Sequence, residues 1–266
     1  MRYEKIADTG IEVSKICIGG MGFGKASPDF HEWTIDQDAT TEVLKAAFDA
    51  GINFIDTANC YSHGTSEEYI ARTIKTLGIP REKVVLASKV YFNEGKLGKE
   101  AINLEIDGTL RRLGTDYLDI YYIHRFDYEH PVEETMEALH GLVQSGKVRA
   151  LGASEMFGYQ LQNMQTVAEK NGWTKFSVLQ PHYNLIYRED ERELLPVACE
   201  HKMTVAPYSA LAAGHLTRPT WEGKSKRAET DKVARDKYDA YKENNMEIIA
   251  RPGEKATAGV MKGLTK

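Results

Sequence analysis

Along the chain, short runs rich in β-branched and aliphatic residues alternate with longer stretches whose apolar positions recur every three or four residues. The runs fall at 15–19, 52–57, 84–90, 117–124, 148–153, 177–180 and 203–208. Between them lie helix-like segments from Thr40 to Ala50, Ser66 to Leu77, Lys99 to Leu113, Val132 to Gln144, Tyr159 to Lys170 and Glu189 to Glu200. Such alternation predicts βα units feeding one parallel sheet. The punctuation agrees: Gly51, Gly78, Gly114, Gly146 and Gly172 each follow a helical segment, where helices commonly end in a left-handed residue. Pro80 falls just past a helix end, whereas Pro196 lies inside the last helical pattern and runs against it. Ahead of the first unit, Arg2 to Val13 alternate around Asp8-Thr9-Gly10, which predicts a β-hairpin able to plug the N-terminal end of a barrel.

No Pro/Ser-rich linker or composition shift divides the 266 residues, a length typical of one α/β barrel, so residues 1–266 are read as a single (β/α) barrel domain. With 42% hydrophobic and 27% charged residues the chain has the material for a packed core and is not a disordered or fibrous sequence. A formal net charge of -5, with both signs interspersed, argues against a basic face for nucleic acid or an anionic membrane. The three cysteines, Cys17, Cys60 and Cys199, are scattered without a Cys-x-x-Cys pair, which fits a reducing compartment rather than a disulfide framework or zinc site. Met1-Arg2-Tyr3-Glu4-Lys5 lacks the apolar core of a signal peptide, and no apolar run approaches ~18 residues. The expectation is a soluble cytoplasmic protein.

Barrels of this kind carry their reactive groups at the C-terminal ends of the strands and in the loops that follow. Asp56 closes the second run, Tyr61 follows in its loop, Lys89 ends the third run and His124 ends the fourth. Three successive strands therefore bring four titratable groups to one rim. Reduction of a carbonyl needs a proton donor for the developing alkoxide, and a phenol with pKa ~10 serves near neutrality only if a cation lowers that value. Lys89 can supply the cation, Asp56 can keep the lysine protonated, and His124 can donate to the carbonyl oxygen.

The stretch Gly51-Ile52-Asn53-Phe54-Ile55-Asp56-Thr57-Ala58-Asn59-Cys60-Tyr61, the strands ending in Lys89 and His124, and later motifs together resemble the aldo-keto reductases, from the hairpin to about residue 245. The resemblance implies a TIM-type (β/α)8 barrel that delivers hydride from NADP(H) to an aldehyde or ketone, with Asp56, Tyr61, Lys89 and His124 as catalytic residues. It further implies that Ser154 and Gln180 hold the nicotinamide carboxamide, that Tyr208 stacks on the ring, and that Ser209 and Leu211 line the pyrophosphate region. Gly20 and Met21 match positions near the nicotinamide ribose, while Asp56 belongs to both sets. Glu155 departs from the family, which commonly has Asn there.

Other chemistries fit less well. Gly19, Gly20, Gly22 and Gly24 do not give the Gly-x-Gly-x-x-Gly spacing of a Rossmann dinucleotide site. Tyr238-Asp239-Ala240-Tyr241-Lys242 reproduces a Tyr-x-x-x-Lys pattern, but in a charged segment that reads as a solvated helix face. The eight histidines include no His-x-His or His-Glu-x-x-His spacing, so no metal is expected. Tyr91, Phe92, Phe126, Tyr128 and Trp221 are candidate walls for a small-molecule carbonyl substrate. After Ala250 the family pattern would continue into an eighth strand and final helices. Here Arg251-Pro252-Gly253 predicts a helix stop, and Val260, Met261 and Leu264 are too few for a strand. The tail thus predicts that the eighth strand and final helices are missing or replaced, with weakened NADPH binding and stability. It keeps open an inactive or regulatory nicotinamide-binding relative as the alternative function.

Overall fold

In the computed structural model, which describes residues 1–217, 220–221 and 223–256, seven parallel strands follow one another in chain order around a curled sheet. They are preceded by an antiparallel hairpin, β1 (Tyr3–Lys5) and β2 (Glu12–Ser14). The parallel strands are β3 (Cys17–Gly19), β4 (Phe54–Asp56), β5 (Val85–Val90), β6 (Leu118–Ile123), β7 (Val148–Ser154), β8 (Phe176–Gln180) and β9 (Thr204–Val205). Between them run α1 (Gln37–Asp49), α2 (Thr65–Thr76), α3 (Lys99–Leu113), α4 (Val132–Gln144), α5 (Gly158–Asn171) and α6 (Leu194–Glu200). A parallel neighbour can be reached only by a crossover, and each helix supplies one while covering the sheet's outer face.

Alternation along the strands sorts side chains into two cores. Ile55, Leu86, Tyr121, Leu151 and Leu179 face outward and pack with Leu44, Ile70, Ile106, Met136 and Leu161 of the helices. Phe54, Val85, Ala87, Ile120, Tyr122, Ala150 and Val178 face inward and meet Ile6, Ile11 and Val13 of the hairpin. The hairpin thus plugs the inner core as its sequence pattern predicts, each of those buried side chains contributing about 1.5–3 kcal/mol. Gly152 pairs with Tyr122 across β6 and β7, and a methyl group on it would overlap the Tyr122 ring. The absent side chain is what admits a tyrosine to the barrel interior.

The five expected helix-end glycines all have positive φ, from 63° to 82°. One predicted helix is corrected: residues 189–191 form a separate 3-10 turn, and α6 begins only at Leu194. Pro196 therefore falls in the first turn of α6, where its missing N–H has no intrahelical partner to lose.

Beyond β9 the chain forms α7 (Lys226–Thr230), α8 (Lys232–Tyr238) and α9 (Lys242–Ala256). Ala212, Trp221, Tyr238 and Ile249 make a small separate core there. The stop expected at Pro252-Gly253 is not observed, because α9 runs through both to Ala256. The proline forfeits one backbone bond, a local loss within a helix already anchored by buried Ile249. Val260, Met261 and Leu264 lie outside the described residues. Among the described residues the sheet ends at β3 and β9, each with a single strand partner, and no helix is long and apolar enough to cross a membrane.

Candidate active site

Strand register carries three of the four expected groups to one place. Asp56 pairs with Ala87, and Lys89 lies two positions further on the same face of β5. Lys89 in turn pairs with Tyr122, and His124 lies two positions beyond that, its N–H bonded to the Val90 carbonyl at 2.9 Å. Because side chains repeat every second residue, Asp56, Lys89 and His124 step up one inner wall, the stagger that a tilted barrel imposes.

Tyr61 arrives from a turn instead. Ser62, His63 and Gly64 follow it with φ of 46°, 56° and 87°. Two successive left-handed non-glycine residues cost about 1 kcal/mol or more each and persist only where surroundings fix them. Here the loop after β3 does so. Gly24 (φ 118°) approaches so closely that a Cβ on it would lie 2.6 Å from the Ser62 Cβ, and the Lys25 N–H donates to Thr65 Oγ1 at 2.9 Å. His63 meets Asp29 at 3.0 Å, and the Phe30 ring lies 6.3 Å from that of Tyr61.

The Lys89 ammonium, 0% exposed, donates to Asp56 Oδ2 at 2.5 Å, to the Thr57 carbonyl at 2.8 Å and to Tyr61 Oη at 3.4 Å. Its three protons thus have three acceptors. Asp56 Oδ1 accepts from Gln180 Nε2 at 3.0 Å, so one hydrogen-bonded chain runs Gln180–Asp56–Lys89–Tyr61. The His124 ring stands edge-on to Tyr61 at 5.8 Å, and Phe92 stands edge-on to His124 at 5.0 Å.

Burial pulls the Lys89 ammonium down, but the adjoining Asp56 carboxylate and Tyr61 outweigh it and hold the group above its ordinary value. The Tyr61 phenol corrects the expectation of a lowered pKa. Burial pushes it up to about 12, with the Lys89 cation offsetting only part of that rise. Burial, aided by the Lys89 and Arg125 cations, keeps His124 well below the usual imidazole range and therefore neutral at pH 7.

The expected cofactor residues lie along the adjoining rim. Gly20 is buried, and a Cβ there would come within 3.0 Å of the Asp56 carbonyl and of Ser66 Oγ, while Met21 follows it in the same short turn. Ser154 Oγ donates to the Gln180 carbonyl at 2.8 Å, joining those two strand ends. Tyr208 stacks on His182 with ring centres 5.1 Å apart, and its hydroxyl donates to Glu155 Oε1 at 2.6 Å. Ser209 Oγ lies 2.9 Å from the Tyr238 hydroxyl, and Leu211 is 51% exposed in the loop beyond. A glycine with no room for a side chain, a hydroxyl oxygen and an amide on adjacent strand ends and an aromatic ring form a lining that suits a nicotinamide ring and its carboxamide.

Two readings of the sequence need correction here. Tyr238 is not on a solvated face: it is 3% exposed, its hydroxyl meeting His182 Nε2 at 2.7 Å and Asn184 Nδ2 at 3.1 Å. Trp221 does not wall the mouth; it stacks on His215 at 3.9 Å and its Nε1 donates to Asp239 at 2.9 Å, inside the small C-terminal core. Phe92 and Tyr128, in contrast, are 48% and 72% exposed, and Phe126 packs edge-on against Tyr128. Sequence reasoning missed Arg125 and Lys237. Arg125 directly follows His124, a signal available but unused, whereas Lys237 has no local signal at all.

A parallel barrel sheet with Asp56, Lys89 and His124 at its strand ends and Tyr61 brought beside them by a turn defines a (β/α)-barrel protein with a buried cluster of titratable groups. The chain belongs to the aldo/keto reductase family, whose pattern it matches over residues 15–255. It is 41% identical over 246 residues to aldo-keto reductase AMT2 of Alternaria alternata, covering 82% of this chain and 66% of that protein. It is 38% identical to the versiconal hemiacetal acetate reductase of Aspergillus parasiticus, covering 85% and 71%, respectively. With the putative aryl-alcohol dehydrogenase AAD16 of Saccharomyces cerevisiae the identity is 35%, covering 93% and 78%. The chain spans between 66% and 78% of the length of these relatives.

Proposed function

We propose that this chain, acting as a single barrel domain in a reducing cytoplasmic compartment, is an NADP(H)-dependent oxidoreductase that reduces aldehydes or ketones to alcohols. The observation that carries the reading is the buried Lys89 ammonium, bonded to Asp56 at 2.5 Å and to Tyr61 at 3.4 Å. A reduced nicotinamide, when bound, supplies the hydride. Tyr61 donates the proton to the carbonyl oxygen as charge develops there, and Lys89, held charged by Asp56, offsets part of the rise that burial imposes on the phenol and stabilises the phenolate left behind. Neutral His124 directs an N–H at the same oxygen. Ser154 and Gln180 would hold the carboxamide, Tyr208 would stack on the ring, Gly20 and Met21 would meet the ribose, and Ser209 and Leu211 would line the pyrophosphate.

We assign aromatic carbonyl compounds as the substrate class, since Phe92 and Phe30 flank His124 and Tyr61. The name of one relative, a putative aryl-alcohol dehydrogenase, supports that choice. Oxidation of NADPH and of NADH, followed against a panel of aromatic and aliphatic aldehydes and ketones, tests the reading. Faster turnover of aromatic members with NADPH is the expected result. Tight NADPH binding without turnover of any member would replace it with a regulatory nicotinamide-binding role.

A further inference from the structure

Tyr208 is held at its hydroxyl by two charged side chains from distant parts of the chain. The hydroxyl donates to Glu155 Oε1 at 2.6 Å and accepts from Lys237 Nζ at 2.8 Å. Glu155 directly follows Ser154 at the end of β7, whereas Lys237 lies on α8. The second carboxylate oxygen of Glu155 is taken by Arg125 at 2.8 Å, and Lys237 Nζ lies 4.0 Å from Glu155. Glu155 has a φ of 27°, a backbone setting that a non-glycine residue adopts only under constraint, and that setting places its carboxylate between two cations and a phenol. Arg125 continues the chain of contacts: its guanidinium lies 5.2 Å over the Phe92 ring, which meets His124.

A tyrosine ring can swing about its Cα–Cβ bond unless something holds its far end, whereas turning about Cβ–Cγ leaves the hydroxyl oxygen in place. His182 stacks on the Tyr208 ring but cannot by itself fix the hydroxyl, and the Glu155–Lys237 pair does. Charge-assisted hydrogen bonds are the shorter and stronger kind, so the Glu155–Lys237 pair sets where the ring lies and the His182 stack sets its plane before any ligand arrives. A flat ring gains most from a partner whose plane is already fixed, because the ordering cost is absent from the binding step.

Resting on the proposed nicotinamide reading, we infer that Glu155 and Lys237 are positioning residues that clamp the Tyr208 hydroxyl and so pre-order the ring that stacks on the nicotinamide. An amide at position 155 could accept the phenol's proton but would carry no charge to hold two cations as well. The clamp acts on the nicotinamide end of the dinucleotide alone.

The test compares NADPH with 2′-phospho-ADP-ribose, which has the adenosine and phosphates but no nicotinamide, by calorimetric titration of the intact chain. For Glu155→Ala the expected loss is about tenfold for NADPH, the factor set by re-ordering one held side chain, and under about twofold for the fragment. Glu155→Gln, which still accepts from the phenol, regains most of the NADPH affinity. Lys237→Met gives a smaller loss with the same split between the two ligands. Equal losses for both ligands, or no loss for NADPH, overturn the inference while leaving the nicotinamide reading in place. A wild-type chain that binds NADPH no better than the fragment removes the nicotinamide reading itself, and the clamp with it. Thermal unfolding of each variant identifies any that fail to fold, and in that case the two variants that do fold carry the comparison.

Discussion

The two halves of the barrel rim are built in different ways. On the β4–β6 side Asp56, Lys89 and His124 sit at or just past registered strand ends, and a fully buried ammonium has all its protons bonded. On the β7–β9 side the residues that meet the Tyr208 hydroxyl come from the β7 end and from α8, separated from it by 53 and 29 positions. The charges on that second side are partly open to solvent, with Arg125 51% and Lys237 33% exposed at the side chain. The first half is a dry ion pair fixed by sheet hydrogen bonding, and the second is a wetter clamp fixed only by its own contacts. Removing a charge should therefore damage fold and chemistry together on the first side, and ligand binding alone on the second.

The largest effect is expected for Lys89→Met. It strands the Asp56 carboxylate without its buried cation, which costs about 3–5 kcal/mol of stability. It also lowers turnover by ~10²-fold or more by removing the charge that stabilises the phenolate. Urea unfolding and steady-state kinetics check both, and a variant as stable and active as wild type would erase the contrast between the two sides. Next comes Tyr61→Phe, which should leave stability and NADPH affinity nearly unchanged while lowering turnover ~10²-fold or more. Near-normal turnover would sink the assigned proton donor.

The pH dependence of stability sharpens the comparison, because each side holds one depressed histidine. Burial, with the Lys237 cation, lowers His182 to about 4, and burial with Lys89 and Arg125 holds His124 well below its ordinary value. Below the unfolded value of ~6.5 the unfolded chain takes up protons that the folded chain refuses. Stability is thus present above pH ~6.5 and is lost as pH falls toward 4. His182→Gln should remove part of that acid loss and leave the part due to His124. An acid limb identical to wild type would show that His182 is not held neutral on folding. Tyr61 acts at the other end: with its folded value raised to about 12, stability is lost as pH climbs above ~10 toward that value.

The smallest effect concerns a link between the loop after β3 and the C-terminal segment. The Arg227 guanidinium lies 4.2 Å over the Trp33 ring and donates from Nε to Asp231 at 3.0 Å. Arg227→Lys keeps a cation for Asp231 but loses the flat stacking, for an expected loss of about 0.5–1 kcal/mol, or a few degrees in Tm. A fall of ten degrees or more would mean that this contact holds the loop to α7 far more than a cation–aromatic pair can.

Much of this was legible along the chain because it is local. The ends of the apolar runs 84–90 and 117–124 put Lys89 and His124 at the C-terminal rim, and glycines after five of the six helices marked the helix ends. Register then needed only consecutive pairing, so Asp56, Lys89 and His124 could be placed together before any coordinates. Tertiary structure alone decided what depends on burial and on residues far apart in sequence. It set the direction of the Tyr61 shift, since the loss of water around the phenol outweighs the neighbouring cation. It drew Tyr238 out of a charged stretch into a polar pocket with His182, Asn184 and Ser209, and it moved Trp221 from the mouth into a separate core. It also joined Gln180 to Asp56 across 124 positions. Local periodicity encodes which face a side chain takes, but the desolvation and charge partners it meets there are properties of the packed chain.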